Sequence, residues 1–380
     1  MPAYERNASP WLQGPEYAAV AEAMRIGQWG HNTATEAFEA ELATFLGVPD
    51  VVAVSSCTAA LHIGLVLAGV GPGNEVIVPS QTFCATVQAI LMTGAHPRFI
   101  DINANTLCVD SAAVQAAITP NTGAVIPVLY GGRAIDLTEV QPELDRRGIA
   151  VVEDAAHAFG SRLGDKRVGA TGMLTCFSFG PIKNLTCGEG GALIPRNPAE
   201  ADAARALRLL GVTQSQTARI RTTSYQVDGI GWRYHLSAVH AAIGRVQLAG
   251  FASIETTRQR LWRAYTRELA DLERVALIDL DIEHTVPFNC VVRVLTDRDK
   301  VFETLRDRGI GVGVHYPPNH TQPAFRQWYR PLPVTETTAR QIISLPFHPA
   351  MTEHDITHVV SDLRTALTES GRKSIPSARR

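Results

Sequence analysis

"GIAVVEDAAHAFGS", residues 148–161, is a short apolar run that stops on two carboxylates, Glu153 and Asp154, with His157 three positions after the second. An unbroken apolar run of this length, opened by a glycine and closed by polar residues, predicts a strand buried on both faces. The chain before it repeats the pattern. From about residue 50, β-branched runs ("DVVAVSS", "EVIVPS", "HPRFIDI", "TGAVIPVLY") alternate with helix-like stretches ("TAALHIGLVLAG", "ATVQAILMTG", "LTEVQPELDRRG"). That rhythm predicts an α/β fold with a mainly parallel central sheet flanked by helices, whose ligands lie beyond the carboxyl ends of the strands. "GVGPGN", 69–74, follows a helix and precedes a strand, the reverse of a dinucleotide-binding fingerprint, and reads as a turn.

Further along, 236–272 reads as one long helix, after which "VPFNCVVRVL", "DKVFETLRDRGI" and "TARQIISLPFH" resume the alternation. The expected layout is a large domain over 1–250, a smaller α/β domain over 251–370 and a flexible tail over 371–380. Lys and Arg number 35 against 37 Asp and Glu, a formal charge of −2, so charge gives no reason to expect nucleic acid or an anionic membrane as partner. There is no run long enough to span a bilayer and no basic leader with an apolar core, which predicts a cytoplasmic protein with a small ligand. The six cysteines form no CxxC pair, so reduced thiols and no metal site are expected.

Chemistry is expected where polar residues end the strands. In "FSFGPIKNLTCGEGGAL", 177–193, Lys183 stands between a strand and a glycine cluster that lets a ligand approach the backbone. An amine partly withdrawn from water loses its proton more readily and becomes a nucleophile; the alternative is a solvated loop lysine. Asp154 is placed to hold a pyridinium nitrogen protonated, or else to close a turn. His157 faces either a ligand oxygen or the core. Ser55, Ser56 and Thr58, between a strand and a helix, suit a phosphate at a helix N-terminus, and N-capping is compatible with that role. Phe83, in "PSQTFCAT", stacks on an aromatic ring or joins the core, and Ser178 is a second phosphate contact or a locally bonded serine. Taken together these are the groups that pyridoxal phosphate requires: an amine for its aldehyde, a carboxylate for its ring nitrogen, a stacking aromatic and a phosphate cradle.

"FEAELATFLGV", "SSCTAALHIGL", "PSQTFCAT", "VVEDAAHAFGS", "FSFGPIKNLTCGEGGAL", "RYHLSAVHAAIGRVQL" and "SLPFHPAMTEHDI" follow one another in an order and spacing that resembles the DegT/StrS family of pyridoxal-phosphate sugar aminotransferases, from about residue 10 to 365. The resemblance implies fold type I and a homodimer with active sites at the subunit interface. It sets Lys183 on the Schiff-base lysine, Asp154 on the pyridinium partner and Ser178 on a phosphate ligand. Ser56, Cys57, Thr58 and Ala59 fall on the phosphate turn, and Phe83 on the stacking aromatic. His157 falls where members carry glutamine or histidine. Two positions depart from the pattern: Cys57 replaces a glycine, and Gly231, in "GIGWR", replaces an asparagine that reaches the partner's cofactor phosphate.

Arg233 remains as a candidate for the carboxylate of an amino donor, and Trp29, His315 and Tyr316 as substrate contacts, in the loops 26–34, 213–228 and 315–325. His320 reads as sugar-facing or structural. The reaction implied is transfer of an amino group, from glutamate by resemblance, to a nucleotide-linked keto-hexose, with pyridoxamine phosphate as the intermediate cofactor form, in amino-sugar or antibiotic biosynthesis. The alternatives are a free keto sugar or keto-cyclitol as acceptor, a dehydratase or epimerase, and a non-catalytic regulator. The dehydrating branch of the family carries histidine in place of the lysine, and Lys183 is retained here.

Overall fold

In the computed structural model, which describes residues 2–27, 29–214 and 223–371, the apolar runs are strands. They are β1 (Val52–Val54), β2 (Glu75–Pro79), β3 (His96–Ile100), β4 (Thr122–Val125) and β5 (Ala150–Asp154), then the short hairpin of β6 (Arg162–Leu163) and β7 (Lys166–Arg167), then β8 (Leu174–Ser178) and β9 (Gly191–Ile194). One seven-stranded sheet takes the order β1-β9-β8-β5-β4-β2-β3. β9 runs antiparallel to both of its neighbours, and the remaining pairs are parallel. The carboxyl ends of β1, β2, β5 and β8 therefore share one edge of the sheet.

Side chains alternate across the pleat, so each strand feeds two cores. Val52, Val54, Val76, Val78 and Val152 pack on one face. Ala53, Ile77, Val125, Val151 and Phe177 pack on the other. The helices α1 (Pro15–Ile26), α2 (Thr33–Leu46), α3 (Cys57–Leu67) and α4 (Cys84–Met92) include those that cover these faces. On α3, Gly64 permits the closest approach: a Cβ there would lie 3.2 Å from Val152 and 3.5 Å from Cys176.

A second sheet of β10 (Val275–Leu277), β11 (Cys290–Val294) and β12 (Ile342–Leu345) is antiparallel throughout. Its Val291, Val292, Ile342 and Ile343 join the same hydrophobic cluster as Ala53 and Ile77, so the apolar interior runs unbroken between the two sheets. The long helix expected over 236–272 is two helices, Ala238–Ala249 and Phe251–Leu269. They part at Gly250, where a Cβ would sit 2.7 Å from the Gln13 amide. The apolar periodicity passes across this glycine, which hides the bend from a sequence reading. The last helix reaches Gly371, and the expected tail lies outside the described residues. Among the described residues no helix is long and apolar enough to cross a membrane, and all six cysteines are unpaired.

Candidate active site

Lys183 stands on a turn just after β8, closed by its N–H donating to the Gly180 carbonyl at 3.1 Å. The next residue holds the turn in place: Asn184 is buried and donates its amide to the Val286 carbonyl at 3.0 Å. This is not a solvated loop. The Lys183 amine lies 4.4 Å over the Phe288 ring. Burial lowers its pKa to about 8, opposed by the acidic groups of Cys57 and Asp154. A fraction of the amine is therefore neutral near physiological pH.

Asp154 ends β5, nearly fully buried. Its Oδ1 accepts the Ala156 N–H at 3.1 Å and its Oδ2 the Thr86 hydroxyl at 2.6 Å. Burial pushes its carboxyl pKa up, and the Thr86 and Ala156 hydrogen bonds pull it back. His157 stacks on Phe288, ring centres 3.9 Å apart at 18°. Burial, with the Lys183 and His315 charges assisting, drives its pKa well below the ordinary value, so the ring is neutral. Nδ1 accepts the Gly131 N–H at 3.3 Å, which assigns the hydrogen to Nε2, and Nε2 donates to the Tyr316 hydroxyl oxygen at 3.1 Å.

These groups wall a cavity of about 450 Å³. Ser56 caps α3 by accepting the Ala59 N–H at 3.1 Å. Cys57 and Thr58 line the cavity at the first turn, where N–H groups have no intrahelical acceptor. The Ala59 N–H is taken by the cap, and Ala59 itself is buried. Ser178, at the end of β8, lies on the same wall. Gly191 lets β9 pass beneath this turn: a Cβ there would meet Cys57 N at 2.6 Å. Phe83 leads into α4 with 57% of its surface exposed, its ring 5.6 Å from that of Tyr316. It faces the cavity rather than the core.

His315 and Tyr316 complete the wall. His315 is tied through Nδ1 to the Ser344 hydroxyl at 2.7 Å, and burial with the Lys183 charge lowers its pKa to about 4. His320 is structural: fully buried, it bonds the Ser80 hydroxyl at 2.6 Å and Glu336 at 3.3 Å.

Two expected residues lie elsewhere. Trp29 is half exposed and donates its ring N–H to the Met24 carbonyl at 3.1 Å. Arg233 is exposed and bridges Leu209 through its backbone. Neither lines this cavity within one chain. At Gly231 a Cβ would lie 2.5 Å from Gly211 N and 2.6 Å from the Leu207 carbonyl, so this backbone admits no asparagine there. A larger groove of about 920 Å³, between α1, α2 and Ala238–Ala249, is mainly apolar and holds none of the candidate groups.

Thr82, Thr86 and Phe288 were not singled out from sequence. Thr86 had no readable signal, since a threonine in the first turn of a helix looks like any other. Phe288 had none: an aromatic beside an apolar strand reads as core.

The residues suit one ligand type. A reactive amine, a buried carboxylate, an aromatic face and free N–H groups at a helix start match an aldehyde, a ring nitrogen, a π-system and a phosphate. Set on the carboxyl edge of a mainly parallel sheet, they define a pyridoxal-phosphate enzyme of fold type I. The chain belongs to the DegT/DnrJ/EryC1/StrS aminotransferase family, whose model matches residues 12–364. Among solved structures it is similar to the aminotransferase TlmJ from Streptoalloteichus hindustanus, at 32% identity over 96% of this chain and 99% of that one, with a TM-score of 0.89. It is also similar to DesV of S. venezuelae, solved with a ketimine intermediate, at 34% identity over 95% and 96%, TM-score 0.87. The sugar aminotransferase CalS13 from Micromonospora echinospora matches at 28% identity over 94% and 99%, TM-score 0.87.

Proposed function

We propose that this aminotransferase moves an amino group from glutamate to a nucleotide-linked keto-hexose. Its cofactor is pyridoxal phosphate and its acceptors are keto sugars. The observation that carries the reading is the pairing, across one cavity, of a lysine amine with lowered pKa and a buried carboxylate.

When bound, pyridoxal phosphate supplies an aldehyde that condenses with amines and a protonated ring that accepts the electron pair of a broken C–H bond. Lys183 holds the cofactor and, released from it, carries the proton from the donor's α-carbon and returns one to the acceptor's carbon. Asp154 faces the ring nitrogen and keeps its proton in place. Ser56, Cys57, Thr58 and Ser178 form the phosphate site, through the start of α3 and the Ser178 hydroxyl; Ala59, whose N–H is held by the Ser56 cap, only supports the turn. Phe83 would cover the ring of the bound cofactor, and neutral His157, whose Nε2–H donates to the Tyr316 hydroxyl, would act toward the ring oxygen through that hydroxyl. His315 and Tyr316 meet the acceptor.

The chain works in the cytoplasm as a homodimer, with residues 1–250 as the cofactor-binding domain and 251–370 as the small domain. Arg233 and Trp29, exposed and outside their own cavity, serve the neighbouring subunit's site; Arg233 there takes the donor carboxylate. The loop 213–228, of which 215–222 lie outside the described residues, belongs to the acceptor site.

The test is the visible spectrum of the purified protein before and after glutamate. Loss of the Lys183-bound band with appearance of the pyridoxamine form supports the reading, and keto sugars are then screened as acceptors. A band that ignores every amino donor refutes transamination.

A further inference from the structure

Among the described residues Asp154 has no cation in hydrogen-bond contact, yet the proposed chemistry needs it ionised. Its chief support comes from one turn of one helix. Thr86 is 1% exposed and Thr82 2%. The Thr86 hydroxyl lies 2.6 Å from Asp154 Oδ2 and 2.8 Å from the Thr82 hydroxyl. A carboxylate can only accept, so Thr86 spends its single hydrogen on Asp154 and must accept from Thr82. The direction of the chain is thereby settled, Thr82 to Thr86 to Asp154, each donor strengthening the next. Phe83 leads into the same helix turn, three residues before Thr86. "TFCAT", 82–86, thus carries both the ring that faces the cavity and the hydroxyl relay behind its carboxylate.

We propose that Thr86, backed by Thr82, is a positioning residue that holds Asp154 ionised and aimed into the cavity, and so sets the affinity of the site for a ligand carrying a protonated ring nitrogen. This rests on the reading of the cavity as a pyridoxal-phosphate site. Thr86 lines the cavity, but its single hydroxyl hydrogen is committed to the Asp154 carboxylate. Its effect on a ring nitrogen passes through the carboxylate, and this separates it from a residue that merely fills space.

The experiment compares two ligands on the full-length apoprotein: pyridoxal phosphate, and its 1-deaza analogue, in which a C–H replaces the ring nitrogen. Thr86→Val keeps the shape and removes the donor. It is expected to weaken pyridoxal phosphate by about tenfold or more, the value of a hydrogen bond to a charged group, and to leave the deaza analogue within about twofold. Thr86→Ser restores the donor and is expected to recover most of the loss, and Thr82→Val to give a smaller loss of the same kind. Equal weakening of both ligands by Thr86→Val overturns the proposal, as does a serine variant no better than valine in a protein whose thermal transition is unchanged. Failure of the wild-type protein to bind pyridoxal phosphate is a different result, because it refutes the cofactor reading itself.

Discussion

Glu153 and Asp154 are adjacent on β5, both 5% exposed, and burial raises the pKa of both carboxyls. Threonine hydroxyls serve each: Thr175 at 2.6 Å and Thr171 at 3.3 Å for Glu153, Thr86 at 2.6 Å for Asp154. The pleat sends the two to opposite faces. Glu153 borders a void of about 100 Å³ beside Thr171 and Met173. Asp154 borders the 450 Å³ cavity that also holds Lys183. A perturbed carboxyl is therefore not a site in itself. Room for a ligand and a complementary amine across from it make the difference.

The comparison breaks first at the amine. Lys183→Ala is expected to lower turnover by about 10⁴-fold or more, through loss of both nucleophile and base, measured as amino-group transfer from glutamate. Retained turnover means that the cavity is not where the chemistry occurs. Asp154→Asn is next, with a drop in kcat of about 10²-fold from the missing charge and weaker cofactor retention on gel filtration.

The pH dependence sharpens the contrast. Capture of pyridoxal phosphate by the apoprotein requires the neutral amine, whose fraction grows about tenfold per pH unit below its pKa. Stopped-flow absorbance should therefore show a rate that climbs to about pH 8 and flattens above it, following the lowered pKa of Lys183. A rate still climbing at pH 10 would mark an ordinary lysine.

The smallest effect belongs to Glu153. Glu153→Gln should leave turnover within about twofold, since nothing reacts on that face. Because the folded-state pKa of Glu153 is raised above that of an ordinary carboxyl by burial, its contribution to stability is complete at lower pH and is lost as pH rises through the folded value. The glutamine variant escapes that loss. Its Tm relative to wild type should gain about 1–2 °C between pH 4 and pH 8, read by calorimetry at both. A large loss of turnover in this variant would erase the distinction between the two faces.

The alternation of runs in the sequence was enough to place the sheet, and with it Asp154, Ser178 and Lys183, because a strand that ends on a polar residue presents it at the ligand edge. Phe83 was legible by the same rule. Thr86 was harder, since a threonine early in a helix looks like any other, and its partner lies 68 positions away. Gly250 leaves no mark in the sequence pattern because apolar spacing continues through it. For Gly231 the sequence showed the missing asparagine but not the reason: the backbone of 207–211 occupies the space a side chain needs. Trp29 and Arg233 are plausible by residue type, and only the folded chain shows that their own cavity excludes them.

Phe288, under Lys183, belongs to a segment fastened from several directions. Its N–H donates to the Gly131 carbonyl at 2.9 Å, the Val286 N–H to the Ser161 hydroxyl at 3.0 Å, and the buried Arg258 to the carbonyls of Pro287 and Phe288. His315 and Tyr316 follow still later in the chain. During synthesis the lysine and its carboxylate thus emerge more than a hundred residues before the ring beneath the amine and the far wall of their cavity. A ribosome-bound chain stopped before residue 288 holds the reactive amine without the aromatic beneath it, and its ability to retain pyridoxal phosphate becomes a clock for completion of the C-terminal part.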